Sequence, residues 1–408
     1  MVPKGWEVRN LENLASVERG KFSARPRNDP KYYGGEIPFV QTGDIAGAKT
    51  YLKSYSQTLN EEGLKVSRLF PKDTILITIA ANIGDVAITS FDVACPDSLV
   101  AIQPKEGTNV IWLYFYLETC QKELDGQATQ NAQKNINLQV LRPLEVLTPP
   151  LPEQQKIAKI LSTWDKAIST TERLIENSTQ QKKALMQQLL TGKKRLLNDD
   201  GKRFEDEWEE GLLGDLVDVT TGYAFKSNEF VEHKNDSYSI VRMSDLKEGV
   251  LNLTQSARVP KSTVVGLERY KLSEGDFIFG MSGSLDNYAT VKNVDLPCYL
   301  NQRVGKIRAK SNSNQDFVSY IYLSDRVRES ILNKAAGAAQ LNISIGDLRK
   351  TSIRYPNKKE QQKIATVLIN ADKEIDLLEQ QLADLQQEKK ALMQVLLTGK
   401  KRVVVDVG

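Results

Sequence analysis

One stretch of this chain occurs twice. EQQKIAKILSTWDKAISTTERLIENSTQQKKALMQQLLTGKKR runs from Glu153 to Arg195, and EQQKIATVLINADKEIDLLEQQLADLQQEKKALMQVLLTGKKR runs from Glu360 to Arg402. The copies align without a gap, and more than half of the paired positions are identical. Closely spaced repeats would stack into a solenoid, but these copies are far apart. Each therefore closes a larger unit, and the chain is two such units in tandem.

The repeats read as long helices. In the second copy, apolar residues fall at Ile364, Leu368, Ala371, Ile375, Leu378, Leu382, Leu385, Leu392 and Leu396. Their steps alternate four and three, and only Lys389 interrupts them. That is a heptad seam, the pattern that lets two helices supercoil. The first copy keeps the register with Ile157, Leu161, Trp164, Ile168, Ile175, Leu185 and Leu189, but Thr171, Ser178 and Lys182 weaken its seam. Gly192 and Gly399 stand where a helix end needs a left-handed residue, and Lys-Lys-Arg follows each. A helix of about 40 residues would span roughly 60 Å and cannot bury its stripe alone. The simplest partner is the other copy, reached by an antiparallel return. Packing on the helix's own globular domain or on another protein is the alternative.

The segments before the helices are faintly related. Each opens on a Trp-Glu pair, Trp6-Glu7 and Trp208-Glu209, and continues through a Gly turn, VERGKFS and VTTGYAF. Strands are expected at Ile37–Ile45 and Tyr238–Leu246, and again at Phe70–Ala80 and Leu272–Ser282. Helical spacing follows over Ile111–Glu123 and Phe317–Leu332. The expected fold class is α+β: two mixed α/β domains separated by two long helices, paired as an antiparallel coiled coil. The expected divisions are 1–151 and 198–358 for the domains, 152–197 and 359–403 for the helices, and 404–408 for a tail. Domains of roughly 150 residues are of normal size. A shared scaffold with divergent loops suits two different ligands.

The 408 residues carry a net charge of +3, with 40% apolar residues, enough for real cores. This balance does not mark a strongly basic nucleic-acid binder, and it permits a local basic face. Cys95, Cys120 and Cys298 are widely spaced, so neither a disulfide framework nor a zinc knuckle is expected. A reduced cytoplasm fits, and neither a signal-peptide core nor a membrane-length apolar run occurs. His233, in a polar stretch, reads as a solvated loop residue. Neither TGKK segment follows the spacing of a phosphate loop. Thr148-Pro149-Pro150-Leu151 lacks the first and last residues of an adenine methyltransferase signature and reads as an extended lead into the helix. The chain is expected to bind rather than to react.

The order variable domain, repeated helix, variable domain, repeated helix resembles the specificity subunit of type I restriction–modification systems. The resemblance covers essentially the whole chain. Its sharpest marks are PEQQKIA from Pro152, KEQQKIA from Lys359, and the Leu-Leu-Thr-Gly-Lys segments at Leu189–Lys193 and Leu396–Lys400. IPFVQTGDI and NINLQVL also look like parts of target recognition domains. Pro356-Asn357-Lys358-Lys359 departs from the proline-rich start of the first helix, which puts the stiffness of that junction in question. The resemblance implies a chain that reads double-stranded DNA and binds no cofactor itself. Two modification (methyltransferase) subunits would bring S-adenosylmethionine, and two restriction (motor–nuclease) subunits would bring ATP and Mg2+. Each domain would read half of an asymmetric site. The helix pair would dock the modification subunits and set the gap; half-sites on one DNA face lie about 34 Å apart.

Polar loop residues near strand ends and Gly turns are the candidate DNA contacts. They are Lys21, Arg25, Arg27, Gln41, Thr42, Asn82, Gln133 and Lys134 in the first domain. In the second they are Lys226, Arg242, Ser244, Ser282, Ser284, Asn301, Arg303 and Gln340. A solvated side chain is the competing reading of each. A true base-reading Arg or Gln should be worth about 1–3 kcal/mol. Two rival functions remain open: a coiled-coil interaction scaffold without DNA specificity, and an enzyme with an unrecognised site. Sequence-selective DNA binding separates the first, and methyl transfer by the chain alone would support the second.

Overall fold

The repeats form two helices of 39 residues each, Leu151–Leu189 and Lys358–Leu396. They belong to a computed structural model describing residues 2–80, 82–127, 135–232, 235–335 and 342–405. The chain divides into two compact units, one of residues 1–173 with 379–408, the other of residues 174–378. Each unit therefore takes the start of one long helix and the end of the other.

In the first unit a five-stranded sheet runs in the order Ala15–Arg19, Leu99–Pro104, Ile75–Thr78, Val86–Thr89, Tyr51–Leu52. Its neighbours are antiparallel except for the last, parallel pair. Strand side chains alternate between faces. Ile75, Ile77, Ile88, Val100 and Ile102 therefore join one core, while Leu76, Ala87, Leu99 and Ala101 join another. Helix Val110–Thr119 covers the first face with Trp112, Leu113, Phe115 and Leu117. The same core takes Ile157, Ala158 and Leu161 from the first long helix and Met393, Leu396 and Leu397 from the end of the second. Strand Glu7–Asn10 pairs with Glu145–Thr148, which leads straight into the helix.

The second unit repeats the plan. Its four-stranded sheet runs Val217–Thr221, Val304–Ala309, Phe277–Gly280, Tyr288–Thr290. Phe277, Phe279 and Ile307 face a core closed by helix Gln315–Leu323, and Ile278 and Val304 face another. Leu189 and Leu190 from the end of one long helix meet the same core as Ile364, Ala365 and Leu368 from the start of the other. Within each unit the two helices thus pair start to end, which is the expected antiparallel arrangement.

The repeated motifs turn out to be partners of one another. Glu153 is buried and receives both the Arg402 guanidinium and the Trp6 indole N–H, the latter at 3.1 Å. Glu360, fully buried, receives Arg195 Nε and Nη2, each at 2.7 Å. Gln154 and Gln361 tie the helix starts to the preceding loops, accepting from the backbone N–H of Asn109 at 2.8 Å and Asn314 at 3.0 Å. Gly192 (φ +72°) and Gly399 (φ +67°) end the helices as expected, each under the ring of Trp208 or Trp6. At the unusual second junction, Asn357 Oδ1 accepts from Glu360 N at 3.0 Å and caps the helix. The seam lysines also pair reciprocally: Lys389 Nζ lies 2.7 Å from Asp165, and Lys182 meets Asp372, the residue equivalent to Asp165.

Two expected strands end early. The first is a strand only at Tyr33–Phe39, and Thr42–Ala46 is helical. The second spans Ser237–Val241, with a 3-10 turn at Met243–Asp245. The cause is local: Asp44 accepts the Gln41 N–H at 2.7 Å, and Asp245 accepts that of Arg242 at 2.9 Å. A carboxylate three residues on turns the chain out of its strand.

Candidate nucleic-acid interface

Each unit fastens its candidate loop to the sheet with a hook at a glycine. A Cβ at Gly20 would lie 2.2 Å from the Pro96 carbonyl, and one at Gly222 would lie 2.1 Å from that of Leu300. Only glycine permits so close an approach. Lys21 then donates its N–H to Cys95 O at 2.9 Å, and Tyr223 donates to Leu300 O at 2.9 Å. The backbone is held while the Lys21 side chain stays exposed.

In the first unit Arg25 is exposed, with its guanidinium on Ala24 O at 2.8 Å. Arg27 is spent on an ion pair with Asp97 at 2.9 Å, and Arg19 donates to the Asp97 carbonyl at 2.6 Å. Burial raises the Asp97 carboxyl, but the bond and charge of Arg27 outweigh it and hold the group below its ordinary value. Gln41 is half-buried and donates to Gln57 Oε1 at 3.1 Å; Thr42 is also half-buried. Asn82 is exposed in the turn after Ile75–Thr78. Gln133 and Lys134 lie outside the described residues, but Asn135, which follows them, bridges Ala80 beside that turn.

In the second unit Lys226 and Arg303 are exposed, and Asn301 is half-buried in a bridge to Tyr223. The Arg242 guanidinium reaches Gln255 O at 3.3 Å and stands 3.7 Å from Asp245, while its Nε has no partner. Ser244 and Ser284 line one open cavity of about 560 Å³ with Lys247, Glu248 and Asn287. Ser282 also borders it but is buried, its hydroxyl 3.2 Å from the Met243 sulfur, so it is a poor reader of bases. Ser284 donates to Asp286, which Arg328 pairs at 2.6 Å. The bond from Arg328 holds the Asp286 carboxyl below its ordinary value. Gln340 and His233 lie outside the described residues. The structure thus gathers Ser244, Ser282 and Ser284, whereas Lys226 does not border that cavity.

Sequence reasoning missed two cations that stand over aromatic rings. Lys31 Nζ lies 4.9 Å from the Tyr32 ring centre, and the Arg269 guanidinium lies 4.4 Å from that of Tyr270. Tyr32 packs on Phe22, and Tyr270 packs on Tyr223, so both cations sit next to the hooks. The legible signal was a basic residue directly before a tyrosine.

Burial pushes the thiols of Cys95 and Cys298 up to about 12 and that of Cys120 up to about 11. These are packed side chains rather than nucleophiles. Among the described residues there is no group of three or more metal-ligating side chains. No helix of the described residues is long and apolar enough to cross a membrane.

Comparison with known proteins points one way. The family model of the type I restriction modification DNA specificity domain matches residues 3–178 and again 205–387. The type I restriction enzyme MjaVIII specificity subunit of Methanocaldococcus jannaschii is 24% identical over 98% of this chain and 94% of its own length. The crystal structure of a type I restriction–modification S subunit from M. genitalium superposes with a TM-score of 0.58 at 16% identity, covering 97% of this chain and 96% of that one. A chain from a study of complex assembly and conformational transition in the type I R-M system gives 0.60 at 14% identity, covering 98% of this chain and 100% of that one. The structural likenesses establish the fold.

Proposed function

Taking as premise that the chain belongs to the type I restriction–modification DNA specificity family, we propose that each unit reads one half of an asymmetric, two-part DNA target. The paired long helices set the unspecified gap between the halves and dock the modification subunits. Methyl transfer and ATP-driven cleavage belong to partner subunits, two for modification with S-adenosylmethionine and two for restriction with ATP and Mg2+.

One observation carries this reading: the units share their hooks, helix starts and buried Glu–Arg pairs, yet differ where side chains are free. Past the turn carboxylates Asp44 and Asp245 the units diverge: the first completes helix Thr42–Ala46, whereas the second builds a hairpin from Leu246–Lys247 and Val250–Leu251. Both units expose cations beside the hook glycines, but at different positions: Lys21 and Arg25 after Gly20 in the first, Lys226 after Gly222 in the second. Phosphate contacts position a reader, and base edges specify the sequence. Two scaffolds alike in frame and different in loops suit two different half-sites. A scaffold protein has no use for that difference.

The test is to express the chain with its modification subunit and map methylated bases across a host genome. An asymmetric gapped motif that vanishes when this chain is omitted is the expected result. No new methylation from an assembled, cofactor-bound complex would overturn the reading.

A further inference from the structure

Leu246-Lys247-Glu248-Gly249-Val250-Leu251 forms a hairpin in which Lys247 faces Val250. Its loop is therefore Glu248-Gly249, with φ +45° and +91°. Positive φ at both positions is the type I′ geometry, for which Asn-Gly is the favoured pair. Three non-glycine residues among those described have positive φ: Asp73, Asp236 and Glu248. Aspartate tolerates this region because its short side chain bonds nearby backbone. Glutamate lacks that compensation. The turn is nevertheless locked, with Glu248 N donating to Asp286 O at 2.7 Å and Gly249 N donating to Tyr288 O at 2.9 Å.

Glu248 borders the open cavity that also holds Ser244, Lys247, Ser284 and Asn287. The other carboxylate there, Asp286, is occupied by Arg328 and Ser284. The Glu248 side chain is exposed, and among the described residues it has no hydrogen-bonded or ion-paired partner. On the reading above this surface meets DNA, and a free acid there is repelled by phosphates. What rewards it is an exocyclic amine on a base edge, and in the major groove a glutamate pairs with cytosine N4. Residues under strain at an exposed site point to use of the side chain.

We propose that Glu248 is a specificity-determining residue that reads a cytosine, through its N4 amine, in the half-site bound by the second unit. This rests on the DNA-reading function above. The first unit has no counterpart: counted from the turn carboxylates Asp44 and Asp245, the position of Glu248 is Gly47, which ends helix Thr42–Ala46 and has no side chain.

The experiment compares full-length wild type, Glu248→Gln and Glu248→Asn, each assembled with the modification subunit, by genome-wide methylation mapping and thermal melting. Both variants are expected to keep the gap and one half-site, while one position of the other half-site relaxes from cytosine. Methylation of sites with another base there should rise about 10- to 100-fold relative to wild type. Glu248→Asn, which suits the turn, should also raise the melting temperature by roughly 1–3 °C. An unchanged motif in both variants overturns this assignment and leaves the DNA-reading function standing. A wild-type complex that yields no gapped motif overturns the function itself.

Discussion

The two units solve the same burial problem around their seam lysines with different chemistry. In the first, Lys389 lies between two carboxylates, 2.7 Å from Asp165 and 3.8 Å from Glu118. In the second, Lys182 meets Asp372, which also accepts the Tyr320 hydroxyl. Glu118 stands nine residues after the capping Asn109, and the position nine after Asn314 is Leu323. One unit thus carries a surplus half-buried acid where the other carries an apolar residue. A position that looks like a defect in a heptad seam is a polar layer, and its worth depends on what the globular domain places against it. Polar seam residues favour one register of two helices over others at some loss of stability.

The largest expected contrast lies in the buried Glu–Arg pairs. Glu360 is fully buried and held by Nε and Nη2 of Arg195. Glu360→Ala strands Arg195 and should cost about 3 kcal/mol. Glu153→Ala removes a pair whose arginine is more exposed, 42% against 26%, so its loss should be smaller. Denaturant unfolding of the two variants side by side measures the difference, and equal losses would break the comparison.

Next come the lysines. Lys389→Leu completes the apolar seam but takes the cation from two carboxylates, leaving Asp165 only the Thr50 hydroxyl and Glu118 no ion-paired partner, and should cost about 2 kcal/mol. Lys182→Leu leaves Asp372 its tyrosine partner and should cost less. Adding Glu118→Leu to Lys389→Leu should recover part of the loss. Glu118 also gives a pH signature. Burial is the main cause that raises its carboxyl above the ordinary value of 4.5, with Lys389 opposing and Asp165 adding to it. Because the folded state holds that proton more tightly, stability falls as pH rises from 4.5 through the raised value and stays lower above it. Glu118→Gln should therefore be more stable than wild type at neutral pH, and the advantage should vanish below the ordinary carboxylate range. Melting temperatures across pH for both proteins show whether the two curves converge.

The smallest effect separates the two ring-stacked cations. Lys31 is also ion-paired to Asp29 at 3.1 Å, whereas Arg269 stacks on Tyr270 with no acid partner among the described residues. Arg269→Ala should lower the salt slope of DNA binding by about one phosphate contact, and Lys31→Ala should lower it less. Binding isotherms over a salt series distinguish the two.

Much of the frame was legible because periodicity is a local property. The heptad steps, the Gly192 and Gly399 ends and the helical spacing before them all appear in the structure where one-dimensional patterns place them. The strands at Ile37 and Tyr238 were legible only in their first halves, since Asp44 and Asp245 turn the backbone through single hydrogen bonds that no hydropathy pattern carries. Among the candidate contacts, Lys21, Arg25, Lys226 and Arg303 are exposed cations as read. Arg27 is committed to Asp97, 70 residues away, and Ser282 is buried against Met243. Strand-end position marks a surface; it does not reveal which side chains on that surface are already occupied.

The repeat by itself determined that this protein has two like units, each closed by a long helix, because two distant gapless copies with an apolar residue every three and four positions mark two helices that each have one face to bury. Only the tertiary structure decided that the first motif of one repeat is the partner of the last motif of the other. Glu153 and Arg402, and Glu360 and Arg195, carry no pairing information in their spacing. A charge acquires its partner, and most of its energy, from the low-dielectric surroundings that folding builds around it.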